Sequence, residues 1–122
     1  MQMIRHMVLI NWKSAATQGQ IDEWVQKVNR IPDECPMIYN WCSSHAIPEA
    51  DLDNPSTHAF CITFDIRSPE EFAEYQRQPY PRAAKEDGMA IIDMERTAST
   101  NMWVEAEPLR VKSRILRGQT TA

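Results

Sequence analysis

Apolar and polar residues alternate through residues 4–12. Ile4, His6, Val8, Ile10 and Trp12 fall on one face and Arg5, Met7, Leu9 and Asn11 on the other, the two-residue period of a β-strand. Met7 and Leu9 make the middle of the second face apolar as well, so the spacing predicts a strand covered on both sides. The period then lengthens. Ile21, Trp24, Val25 and Val28 recur at i, i+3, i+4 and i+7, one stripe of a helix. Thr17 and Gln20 form a capping box at its start, and Pro32 closes it. Residues 37–45, "MIYNWCSSH", predict a second strand, and Pro48 and Pro55 among polar side chains make 46–56 a loop.

Alternation returns in "THAFCITFDI", which places His58, Phe60, Ile62, Phe64 and Ile66 on one face with Ala59, Cys61 and Thr63 behind. In "SPEEFAEYQRQ" Ser68 is an N-cap, Pro69 the first helical residue and Glu71 the capping-box partner. Pro79 and Pro81 break that helix, "RAAKEDG" predicts a short helical turn ending at Gly88, and "MAIIDMER" predicts the last core strand. The order is β-α-β-β-α-β, the split βαβ arrangement of an α+β, ferredoxin-like fold with a four-stranded antiparallel sheet. Helices on one side leave the other face open, lined by Met7, Leu9, Ala59 and Cys61; a second copy of the chain is its natural cover, so a homodimer is expected. The domain is expected to span residues 1–98, with 99–122 an arm, or an extra strand, packed on the partner subunit.

Composition narrows the classes. The chain has 122 residues, 43% hydrophobic and 25% charged, ordinary for one globular domain. A net charge of −4 argues against a nucleic-acid surface. Residues 107–122 carry four basic residues and one acid, a net +3, which leaves −7 for the rest. No apolar run approaches the ~20 residues of a membrane span, and no signal-peptide layout opens the chain. Cys35, Cys42 and Cys61, an odd set without a C-x-x-C pair, fit free thiols in a reducing compartment. A cytoplasmic protein with no membrane partner is expected.

These elements resemble the stress-responsive dimeric α/β-barrel (Dabb) family, which includes plant polyketide cyclases of the olivetolic acid cyclase type. The resemblance rests on the histidine-led strand "IRHMVLINWK", the second histidine-led strand "THAFCITF", and "SPEEFAEYQRQPY", and it covers about residues 3–97. It implies a dimeric barrel and pocket roles for His6, His58 and Tyr75. The cyclase pattern proline, any residue, histidine is here Pro79-Tyr80-Pro81, so the second catalytic histidine of that pattern is replaced by Pro81.

The residues themselves offer matching chemistry. His6 has the side chain best suited to proton transfer near neutrality. It approaches His58 if the first and third strands pair, as this fold requires. Tyr75 follows Phe72 by one helical turn and turns its ring inward. Tyr80 and Arg82 stand after the break, where a polar group can reach the pocket mouth, and Arg82 can hold a carboxylate or enolate oxygen. Trp24, Val28 and Phe60 are expected to wall an apolar cavity. For each of these a plain packing or surface role is the alternative. No metal-ligand spacing, phosphate loop or nucleophile elbow occurs, so neither metal nor cofactor is expected. Two functions remain open. One is a small cofactor-free isomerase, cyclase or lyase acting on an apolar carbonyl, aromatic or polyketide-like substrate, with His6, Tyr75 and His58 catalytic. The other is a non-catalytic dimeric protein that binds a small molecule or serves stress tolerance.

Overall fold

A computed structural model describes residues 1–48 and 53–111. The elements run β1 (Gln2–Ile10), α1 (Gln18–Asn29), α2 (Ile31–Glu34), β2 (Tyr39–His45), β3 (Phe60–Ile66), α3 (Pro69–Arg77), α4 (Pro79–Gly88) and β4 (Ala98–Glu105). The sheet is four-stranded and antiparallel in the order β2-β3-β1-β4. It is the expected ferredoxin-like β-α-β-β-α-β fold. None of its helices, among the described residues, is long and apolar enough to cross a membrane.

Local signals set the helix starts. Thr17 accepts from Gln20 N and the Gln20 side chain accepts from Thr17 N, a complete capping box. Ser68 accepts from Glu71 N, but the Glu71 carboxylate turns to Arg67 instead of closing the box. Pro32, expected to end the first helix, lies inside α2, the short turn that follows it. Pro79 and Pro81 both fit the first turn of α4, where no N–H partner is lost, so that helix is ten residues rather than one short turn.

The last strand is a correction. "MAIIDMER" does not form it: Ile91 is buried at the end of a turn, Ile92 in an isolated bridge to Trp12, and Met94–Arg96 make a single 3₁₀ turn. The reason is packing. Trp24 Nε1 donates to Ala84 O at 2.9 Å, and a Cβ at Gly88 would stand 2.9 Å from both Trp24 Nε1 and Ile92 Cδ1. The glycine lets the chain turn tightly over the indole and bury both isoleucines, with Ile92 held to Trp12 by a single antiparallel bridge instead of a full strand. The fourth strand is "ASTNMWVE", almost wholly inside the segment expected to be an arm or an extra strand on the partner subunit. It pairs with β1 of its own chain, His6 opposite Asn101 and Met7 opposite Thr100.

Cross-strand pairs assign the two faces. His6, Val8 and Ile10 lie opposite Phe64, Ile62 and Phe60 under the helices, where Ile10 joins Trp24, Val25 and Val28 in the core and Val8 packs against it. Arg5, Met7 and Leu9 share the other face with Asp65, Thr63 and Cys61, with Cys42 and Ser44 of β2 and with Met102, Thr100 and Ala98 of β4. Ala59, expected on that face, lies just outside β3. Most of this face is half-exposed or exposed in the single chain. One end differs, because residues 106–111 cross there as a strap. Ala106 N donates to Met1 O, Asn40 N donates to Leu109 O, and Leu109 N donates to Asn40 Oδ1. Asn40 stands at a β2 bulge with φ 55°, a left-handed conformation that asparagine tolerates. Arg110 then donates to the carbonyls of Pro32, Cys35, Pro36 and Ile38 at 2.7–3.1 Å. The expected basic arm thus folds back on its own chain as far as Val111; residues 112–122 lie outside the described residues.

Candidate functional site

Between the helices and the sheet lies a cavity of about 570 Å³. His6, Val8 and Ile10 of β1 form part of its floor with Ile62 and Phe64 of β3. Trp24, Val28, Phe72 and Tyr75 come from the helices, and Arg82, Lys85 and Glu86 of α4 add charge to the lining.

His6 is the most constrained polar group in this cavity. Its ring lies 5.2 Å from the Phe64 ring on one partner and 5.2 Å from the Phe72 ring on another. Its Nδ1 is 2.7 Å from Asn101 Oδ1. An amide oxygen only accepts, so Nδ1 carries the proton and Nε2 keeps its lone pair. Burial pushes the His6 pKa down, and the Asn101 bond opposes that only in part. The imidazole is therefore neutral near pH 7 and usable as a base. Tyr75 packs on the same two phenyl rings, at 5.0 Å from Phe64 and 6.2 Å from Phe72. Burial drives its phenol pKa upward, so Tyr75 is a neutral donor.

The structure brings together His6, Tyr75, Trp24, Val28 and Arg82, and separates the other expected residues from them. His58 does not approach His6, because His6 pairs with Phe64 in the β1–β3 register. Six residues of strand rise put the two histidines about 20 Å apart. His58 precedes β3 and lines a second, shallower cleft. Phe60 is packed in the core among Trp12, Trp24 and His45. The Tyr80 hydroxyl donates to Lys27 O at 2.8 Å and ties α4 to α1. Pro81 does line the His6 cavity, and its side chain has no proton to move. Asn101, the group that orients His6, was not anticipated; it is 95 residues away and only the β1–β4 register brings it there. No cluster of three or more His, Cys, Asp or Glu suited to a metal ion occurs among the described residues.

The sequence profile of the Stress responsive A/B Barrel Domain matches residues 4–100. The chain belongs to the Dabb family. No curated protein sequence matches it. Among solved structures, this Dabb chain is similar to a hydroxynitrile lyase from Passiflora edulis, at TM-score 0.73 and 16% identity over 86% of this chain and 95% of that one. It is also similar to a dimeric ferredoxin-like protein of unknown function from Thermobifida fusca (TM-score 0.68, 18% identity, 86% and 92% covered). A Dabb protein with a ferredoxin-like fold from Mesorhizobium loti gives TM-score 0.62 at 13% identity, with 88% and 99% covered. At these identities the likeness is one of fold.

The lowered pKa values of His6 and His45, both caused chiefly by burial, have a consequence for stability. Below the unfolded-state value of ~6.5 the unfolded chain binds protons that the folded chain resists, so stability falls on acidification. Urea midpoints are expected to decline from pH 7 to pH 5, and His6→Gln should flatten that decline. A midpoint that rises toward pH 5 contradicts the assignment of His6 as a desolvated neutral imidazole.

Proposed function

We propose that this Dabb protein is a homodimeric small-molecule-binding protein whose His6 cavity receives a compact, mainly apolar ligand bearing one oxygen near the imidazole. The carrying observation is the neutral His6 held by Asn101 between Phe64 and Phe72 at the wall of a largely apolar cavity. Such a site supplies one directed hydrogen bond amid apolar contact, the usual make-up of a small-molecule pocket. The half-exposed sheet face with Met7, Leu9, Cys61 and Met102 supports pairing with a second copy. Light scattering is expected to give twice the 14.1 kDa chain mass. Acetophenone titrated into the protein should quench tryptophan fluorescence saturably, since Trp24 and Trp41 line the cavity. Ser99 of the edge strand β4 lines it too, so Ser99→Trp should weaken binding while the circular dichroism spectrum stays unchanged. No saturable quenching, or equal affinity in Ser99→Trp, rejects the reading.

A second reading, acid–base catalysis, is favoured by the His6 tautomer alone. With Nδ1–H committed to Asn101, the Nε2 lone pair can take a proton from a hydroxyl or from carbon beside a carbonyl. The Passiflora protein bears the name of a hydroxynitrile lyase, which makes mandelonitrile a rational probe. Nε2 would take the hydroxyl proton, the bond from carbon to the nitrile would break, cyanide would leave and benzaldehyde would remain. Benzaldehyde release above the buffer rate, reduced about 100-fold or more in His6→Gln, supports catalysis on this substrate. Release at the buffer rate rejects it and leaves the binding reading standing.

A further inference from the structure

A second cleft, of about 450 Å³, opens where β1 ends and β3 begins, far from His6. Trp12, His45, Ile47, Thr57, His58 and Arg96 line it. Three of its properties are those of a binding site rather than of a packing defect.

First, His45 Nε2 is buried and has no hydrogen-bond partner among the described residues. The His45 ring is fixed by the Phe60 ring at 5.0 Å and the Trp12 ring at 6.5 Å. A buried polar nitrogen left without a partner costs free energy, and an acceptor brought within reach of it recovers that cost. Second, among the described residues the lining contains one cation, two imidazoles and no carboxylate. Arg96 makes no ion pair among the described residues, and Asp22, the acid that acts on His45, is not part of the lining. Third, two segments of the wall are tied together. Asn11 Nδ2 donates to both Thr57 O at 3.2 Å and Arg96 O at 3.0 Å, so one side chain clamps the two segments that bear His58 and Arg96. The apolar part is equally plain: the Trp12 indole, with Ile47 left 54% exposed at the rim.

We propose that this cleft binds a small aromatic carboxylate, its oxygens taken by Arg96 and by a His45 Nε2–H donor and its ring lying against Trp12. An oxyanion satisfies both groups at once, by a charge-assisted bond to the guanidinium and a neutral one to the imidazole. A flat apolar body uses the indole wall that a bare inorganic anion leaves uncovered. The cleft is independent of the His6 cavity, and the proposal stands whether or not that cavity binds or turns over a ligand.

The test uses the full chain, uniformly ¹⁵N-labelled, titrated at constant ionic strength with sodium benzoate and, in parallel, with benzyl alcohol and inorganic phosphate. Benzoate is expected to bind saturably at about millimolar Kd, the range its few heavy atoms allow. The amide and ring shifts should centre on Trp12, His45, Thr57 and Arg96. Arg96 is exposed, so Arg96→Gln should keep the spectrum of the folded chain and weaken benzoate about tenfold. His45→Phe should weaken it too. Benzyl alcohol, which has the ring without the charge, should bind much more weakly, and so should phosphate, which has the charge without the ring. The proposal is overturned by absent saturation, by shifts centred on His6 and Phe72, by unchanged affinity in Arg96→Gln, or by phosphate binding as tightly as benzoate.

Discussion

Asp65→Ala is expected to lower the thermal midpoint by roughly 10–20 °C, corresponding to a loss of about 3 kcal/mol. Asp65 has no exposed surface, yet its carboxylate accepts from Arg5 Nε at 2.8 Å, Arg5 Nη2 at 2.9 Å and Asn40 Nδ2 at 2.7 Å. Removing it leaves a guanidinium and an amide facing each other across β1, β3 and β2 with no acceptor between them. The Arg5 side chain is 38% exposed, so water relieves part of the loss and the effect falls toward the low end for a broken buried pair. Differential scanning calorimetry on the single variants Asp65→Ala and Asp65→Asn, and on the pair Arg5→Met with Asp65→Leu, separates the causes. The amide variant should fall between wild type and alanine. The apolar pair should lose less than Asp65→Ala alone, because no charge is stranded. A double variant as damaged as the single one would mean that packing, not charge pairing, sets the value.

Arg110→Ala comes next, with an expected cost of about 2 kcal/mol. Four main-chain carbonyls converge on this guanidinium, and α2 contributes one of them through Pro32. They lie around the C-terminal end of a four-residue helix that has few hydrogen bonds of its own, so the cation both supplies donors and complements the local carbonyl dipoles. Arg110 is substantially exposed, which keeps the figure below what four charged bonds suggest on paper. Ile31 of α2 lines the His6 cavity. Loss of Arg110 should therefore also speed amide exchange in residues 31–38 and weaken acetophenone binding. Arg110→Lys should recover little, because an ammonium has three donors and cannot span the four carbonyls in a planar fork. Unchanged exchange in residues 31–38 would count against the strap as a support for α2.

How much of this was legible beforehand depended on the range of the signal. Helix starts were plain because Thr17–Gln20 and Ser68–Glu71 are contacts within one turn. The three strands carrying core residues were plain because burial on the helix side imposes a period of two. β4 was read only as an arm or extra strand on the partner subunit, for the opposite reason. As an edge strand it is mostly exposed, so its residues alternate in geometry but hardly in polarity, while the apolar run Met89–Ile92 next to it mimicked a strand. The site followed the same division. His6, Tyr75, Trp24, Val28 and Arg82 belong to elements that were correctly placed, and they meet at one cavity. His58 and Phe60 depended on register, and Tyr80 on the start of α4, neither of which local pattern fixes. Asn101 and Arg110 act through contacts more than seventy residues apart, and Asn40 through partners 25 to 69 residues away.

The placement of β1 between β3 and β4 also bears on how the chain acquires its structure. The first strand must wait for Phe60–Ile66 to gain one neighbour and for Ala98–Glu105 to gain the other. On a ribosome its apolar residues emerge before those of the other strands and complete their pairing only with the last of them. Closing loops of that length before any reward in pairing slows folding, and β1 spends the interval as an unpaired strand with two open edges. Its early exposure makes Met3–Ile10 the segment most in need of a chaperone during synthesis, a demand set by topology rather than by the stability of the finished domain.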